Sequence, residues 1–105
     1  MKDYKTIYKI LKTLDRYAGD EEFDYELISA KRMKLSYPKW EQLLILLQKA
    51  EYIDGIVYTQ TLSNKFPHIA EPIKPYITLK GIDFIENNST MQKIKEDLKM
   101  IGEFF

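Results

Sequence analysis

Four cations, Lys31, Arg32, Lys34 and Lys39, fall within LISAKRMKLSYPKWEQLLILL, the stretch from Leu27 to Leu47, between two apolar helical patterns. Their chemistry is electrostatic: ammonium and guanidinium groups at a turn between helices can hold phosphates and release counterions when they do. Lys39 is the more pointed instance. In the first turn of a helix a positive side chain opposes the dipole by a few tenths of a kcal/mol, and Glu there would have completed a capping box. An anion near Ser36, Tyr37, Lys39 and the free backbone N–H groups would reverse that penalty. The bland account is a solvated loop with a cheap exposed lysine. Farther along the same helix, Trp40 at the centre of an inward stripe sends Pro38, Gln42, Ile45 and Lys49 outward, with Glu41 flanking it. Gln42 suits adenine and Ile45 a thymine methyl. That set of base-reading groups is short, and an exposed isoleucine fits a protein-docking surface equally well.

Elsewhere reactive groups are sparse. The loop Thr61 to Pro75 supplies Lys65, His68 and Lys74, with Phe66 beside them, and cations there suit phosphates or a minor groove. His68 is the one histidine, and its position in a loop reads as an exposed bystander. There is no cysteine, no second histidine for a metal pair, no Gly-rich phosphate loop, and no serine with a recognisable base beside it. Glu21, Glu22, Asp24 and Glu26 lack the regular ligand pattern of a calcium loop. The chain is therefore expected to need no metal or cofactor, to have no catalytic residue and not to be an enzyme. The acidic run Asp20 to Glu26 reads as a solvated helix start, where carboxylates favour the dipole.

The elements that must position these groups follow from apolar spacing. In a chain of 105 residues, 45% hydrophobic and 30% charged, a single domain over residues 1–105 is expected. The absence of net charge argues against indiscriminate coating of nucleic acid, but distribution matters more than the sum. MKDYKTIYKILKTL has no uninterrupted apolar centre, which implies a cytoplasmic protein without a signal peptide or membrane helix. Tyr4, Ile7, Tyr8, Leu11 and Leu14 recur at steps of three and four and predict a first helix over about 3–17, closed by Gly19. A short second helix is expected from Asp24, its cap, to Ala30. Ser36 as cap, Pro38 in the first turn and Leu35 packing back on Trp40 predict a third helix to about Ala50.

Beyond Glu51 the β-branched and aromatic run Ile53 to Thr59 reads as a strand, and Tyr76 to Thr78 as a shorter one, joined by the long proline-bearing loop. Thr78 then caps a helix with Leu79, Ile82 and Ile85. Asn87-Asn88 breaks it before Ser89 or Thr90 caps a last helix, over about 90–104. There Met91, Ile94, Leu98, Ile101 and Phe105 form a narrow seam that either packs on the first helix or pairs with a twofold mate in a homodimer.

The expected fold is α+β, mainly α: a winged helix-turn-helix with a two-stranded wing and an extra C-terminal helix. AEYIDGIVY and YITLKGIDFIENNSTMQKIKEDLKMI carry a resemblance to the YjcQ-like family, small winged-helix proteins of low-GC Gram-positive bacteria and their phages. It covers most of the chain and is most specific from Ile77 to Ile101, whereas the loop Thr61 to Pro75 departs from it. The resemblance implies the fold, a phage or mobile-element setting and a presumption of DNA binding. The combined expectation is a regulator of transcription that binds double-stranded DNA, with Lys31, Arg32 and Lys34 on phosphates and Tyr37, Lys39 and Gln42 in the groove. The alternative is an interaction module that docks a host or phage protein through Ile45 and the apolar wing loop. Both function classes remain open at this level.

Overall fold

The computed structural model describes residues 3–63 and 65–102, and its fold is α+β and mainly α, the class expected. Helix α1 (Asp3–Arg16) buries Ile7, Tyr8, Leu11 and Leu14 along its apolar stripe, and also Ile10 and Thr13. The two C-terminal helices, the last strand and the 3-10 turn pack against it, and Gly19, at φ +84°, turns the chain away after it.

A 3-10 turn (Tyr25–Ile28) and a four-residue helix α2 (Ala30–Met33) replace the continuous second helix expected from Asp24 to Ala30. Ser29 divides them. Its Oγ accepts the Arg32 N–H at 3.1 Å and donates to Glu26 Oε1 at 3.0 Å. A side chain thereby takes the backbone donor that an uninterrupted helix would have used. Lys31 and Arg32 consequently stand on α2 itself, not in a loop.

Helix α3 (Tyr37–Lys49) starts at Ser36 with Pro38 in its first turn, as expected. It ends in a Schellman-type closure: Glu51 is left-handed at φ 70°, and the Tyr52 N–H reaches back to the Leu47 carbonyl at 3.0 Å. Trp40 is buried, and its indole N–H donates to the Ile28 carbonyl at 2.8 Å, tying α3 to the 3-10 turn.

The expected strand Ile53 to Thr59 is two strands, and the loop after it is not irregular throughout. β1 (Ile53–Asp54) pairs antiparallel with β4 (Tyr76–Ile77), and β2 (Tyr58–Thr59) pairs with β3 (His68–Ile69). Gly55 separates the two ladders at φ +95°, and a Cβ there would lie 2.7 Å from the Lys74 carbonyl oxygen, so only glycine passes. The Ile56 backbone that leaves the ladder is recovered by α3. Gln48 Oε1 accepts the Ile56 N–H at 2.7 Å while its Nε2 donates to the Ile56 carbonyl at 2.8 Å. One side-chain amide thus stands in for a neighbouring strand.

Thr78 links the hairpin to the C-terminal half: its Oγ1 accepts the Gly81 N–H at 3.0 Å, opening α4 (Leu79–Asn87), and donates to the Glu51 carbonyl. A side chain at Gly81 would collide with the Tyr52 carbonyl, so α4 can lie this close only with glycine there. Asn88, and not Ser89 or Thr90, caps α5 (Ser89–Met100), its Oδ1 accepting the N–H groups of Thr90 and Met91 at 3.0 and 3.1 Å. Helix α5 packs on α1 and α4.

Replacing Gln48 with Leu keeps the bulk but strands both polar groups of the buried Ile56. Urea unfolding of Gln48→Leu is expected to show a loss of about 1 to 3 kcal/mol, and an unchanged midpoint would mean that solvent replaces the amide at no cost.

Candidate nucleic-acid interface

Four residues are too few for a helix to survive on propagation alone, and α2 persists because both ends are satisfied. Ser29 closes the start. At the other end Lys34 adopts φ 59°, ψ 41° and sends its N–H to the Ala30 and Lys31 carbonyls. That left-handed conformation costs a non-glycine residue about 1 to 2 kcal/mol. Lys31, Arg32 and Lys34 are all exposed, and among the described residues no carboxylate lies within ion-pair distance of any of them. The acidic segment just before them is occupied locally: Asp20 accepts the Glu22 N–H at 2.9 Å and Asp24 the Glu26 N–H at 3.0 Å.

Next along the chain, Ser36 Oγ accepts the Lys39 N–H at 3.4 Å. Tyr37 is exposed, with its ring 5.3 Å from that of Trp40. Partial burial first, then the negative charges of Glu71 and Glu41, raise the pKa of the Tyr37 phenol above its ordinary value, so it remains a protonated donor at neutral pH. Lys31, Arg32, Lys34, Ser36 and Tyr37 are therefore each exposed along the short stretch that turns from α2 into α3.

Three expectations for α3 are corrected. Lys39 is not a free cation, because its Nζ lies 3.4 Å from Asp3 Oδ1 at the start of α1. Gln42 is not free to read a base: it is half-buried, and its amide donates to the Pro67 carbonyl at 3.0 Å. Ile45 does not face outward but is 1% exposed, whereas Leu46, one residue on, is 60% exposed. For Gln42 and Ile45 the cause is the hairpin, whose β3 packs across the side of α3 that helical periodicity alone leaves open.

The same packing uses Glu41 and His68, which residue types alone do not single out. The Glu41 carboxylate is buried. It accepts the Ile69 N–H at 2.9 Å through one oxygen and lies 3.1 Å from His68 Nδ1 through the other. His68 is thus exposed but engaged. Helical spacing puts Glu41 beside the outward set of α3, so its burial is explained only by the return of the hairpin.

The remaining predicted residues are dispersed. Lys65 lies in the tip segment beyond β2 and β3, its Nζ 5.6 Å from the Phe66 ring centre, while Lys74 precedes β4 at the base ladder. In α5, Met91 and Leu98 are 0% and 1% exposed and Ile94 is half-buried, so of the two expectations for this seam it is packing on the first helix that these residues follow. Ile101 is exposed, and Phe105 lies outside the described residues. Among the described residues no cluster of three or more His, Asp or Glu groups could hold a metal ion, and no helix is long and apolar enough to cross a membrane.

Changing Lys34 to Gly relieves the left-handed strain, less the extra freedom glycine gains when unfolded. Chemical denaturation should show a net gain of roughly 0.5 to 1 kcal/mol, and a loss would mean that the lysine stem contributes more by contact than its backbone costs.

No curated protein and no solved structure matches this chain. A protein-family model described as YjcQ protein does match, over residues 8–104. With nearly the whole chain covered, and covered across the α2–α3 corner, the hairpin and both C-terminal helices alike, the protein belongs to the YjcQ family.

Proposed function

We propose that this chain binds double-stranded DNA as a winged-helix protein and acts as a transcriptional regulator in a phage or mobile element. The order α1, α2, α3, hairpin is that of a winged helix-turn-helix, with α2 and α3 as the paired helices and the hairpin as the wing. The observation that carries the reading is the trio Lys31, Arg32 and Lys34, exposed at the α2–α3 corner without an acidic partner among the described residues. That corner is where such a fold crosses the sugar-phosphate backbone, and the exposed Ser36 and Tyr37 hydroxyls at the start of α3 add donors beside it.

The engaged side chains of α3 shape what this binding would be. With Gln42 held by Pro67 and Ile45 buried, little remains to read base edges, so affinity is dominated by phosphate contacts. In this reading the protein works in the cytoplasm, does no chemistry on its ligand, and dimerises through the end of α5, where Met100 and Ile101 are exposed, rather than through the buried seam.

A second reading, docking of a host or phage protein on the same fold, is favoured by Leu46 and Phe66, which are 60% and 54% exposed. Fluorescence anisotropy with a random duplex, repeated across salt concentrations, separates the two. DNA binding predicts affinity that falls steeply with salt, and changing Lys31, Arg32 and Lys34 to Gln should reduce the log–log slope by about 0.9 for each phosphate no longer neutralised. Absence of duplex binding at low salt, together with a stoichiometric protein partner, would replace the first reading with the second.

A further inference from the structure

A cleft of about 250 Å³ opens between α1 and the 3-10 turn with α2, lined by Lys9, Arg16 and Arg32 together with Tyr17, Leu27 and Met33. Three cations converge on it, and no carboxylate is among its described lining residues. In a chain with equal numbers of acids and bases, that separation calls for a physical cause. Part of it lies in the spacing: Lys5, Lys9, Lys12 and Arg16 follow steps of four, three and four, which puts them on one stripe of α1. Lys12 is answered within the helix by Asp15 at 4.0 Å. The acidic segment falls away from the cleft, since Asp20 and Glu21 line a separate depression that shares Tyr17. Thr13, the remaining wall residue, directs its hydroxyl to the Lys9 carbonyl at 2.7 Å, so every charged residue of the wall is a cation.

Cationic side chains brought to one cleft from two elements offer an anion more than one point of attachment. Lys9 and Arg16 also have other interactions in the chain, and what they bring to the cleft is position and charge. We propose that this cleft binds a phosphate group, with the planar guanidinium of Arg32 presented from α2 and Lys9 and Arg16 supplied by α1. An arginine fork matches two phosphate oxygens at once, and the lysine adds a point charge. Tyr17, Leu27 and Met33 give the site an apolar side, suited to the sugar or base that a phosphate ester carries.

The proposal touches the DNA reading at Arg32, which belongs both to the exposed corner and to the cleft. The phosphate can come from two sources. If it belongs to a duplex, the backbone path runs from α2 on to α1 and away from the hairpin. If it belongs to a free nucleotide, that nucleotide competes with DNA for Arg32 and acts as an effector.

The test uses the full chain with two probes, adenosine monophosphate in isothermal titration and a random duplex in anisotropy, on the native protein and on Lys9→Gln and Arg16→Gln. Circular dichroism checks folding, and Lys9→Arg serves as the charge-preserving rescue. Saturable binding of the nucleotide that weakens about tenfold with each cation removed, and returns with Lys9→Arg, supports a free-phosphate site. No nucleotide binding, with a duplex salt slope reduced by about 0.9 in each variant, supports attachment to the DNA backbone. Failure of both effects in folded variants overturns the proposal. The two readings fail separately: duplex binding indifferent to Lys9 and Arg16, without nucleotide binding, removes the cleft and leaves the α2 corner. Nucleotide binding without any duplex binding does the reverse.

Discussion

The arrangement depends on how α3 satisfies the backbone of the hairpin. Two ladders of two residue pairs each leave many strand donors and acceptors without a neighbour, and such groups cannot be buried unpaired. Three polar side chains of α3 answer them: Glu41 at Ile69, Gln42 at Pro67, and Gln48 at both polar groups of Ile56. The hairpin is therefore held by a helix more than by its own strands. An isolated ribbon of this length would be marginal in water, which is why the helix and the hairpin are best regarded as one unit.

That attachment decides what α3 can present to the outside. A helix that gives one side to the core and a second to the hairpin keeps only a narrow strip, along which Lys39, Leu46 and Lys49 are exposed. Lys39 is drawn toward Asp3, so its charge also ties the start of α1 to the start of α3. Cationic character moves to α2, where a serine cap and a left-handed lysine hold a single helical turn open to solvent. The strain at Lys34 sits in the middle of the exposed cations, and strained backbone often marks places where orientation matters more than stability.

Charge separation follows the same logic. The acidic segment and the cations of α2 are close in sequence, and pairing between them would have been the simplest outcome. Instead Asp20, Asp24 and Glu26 bond to neighbouring N–H and O–H groups. Tyr17, stacked on Phe23 with ring centres 5.1 Å apart, stands between the acidic depression and the cationic cleft and lines both. The acidic segment thereby stays apart from the exposed cations of α2.

Local rules were legible in the residues themselves. Ser36, Pro38, Gly19 and Thr78 mark helix ends through bonds made within a few residues, and the apolar steps of α1 and α3 identify the buried stripes. The same local reading went astray where two local signals competed, as at Ser29 and Asn88, because a side chain near a helix end can either cap or interrupt and sequence spacing does not choose between them. The exposure of Lys31, Arg32 and Lys34 also followed from sequence, since no apolar period claims those positions. Tertiary structure alone decided the fates of Glu41, Gln42, Ile45 and His68, the burial of Met91 and Leu98 within one chain, and the meeting of Arg32 with Lys9 and Arg16. Each depends on contacts between segments far apart along the chain. Helical periodicity says which side of a helix a residue occupies; what covers that side is settled only by how the rest of the chain folds back upon it.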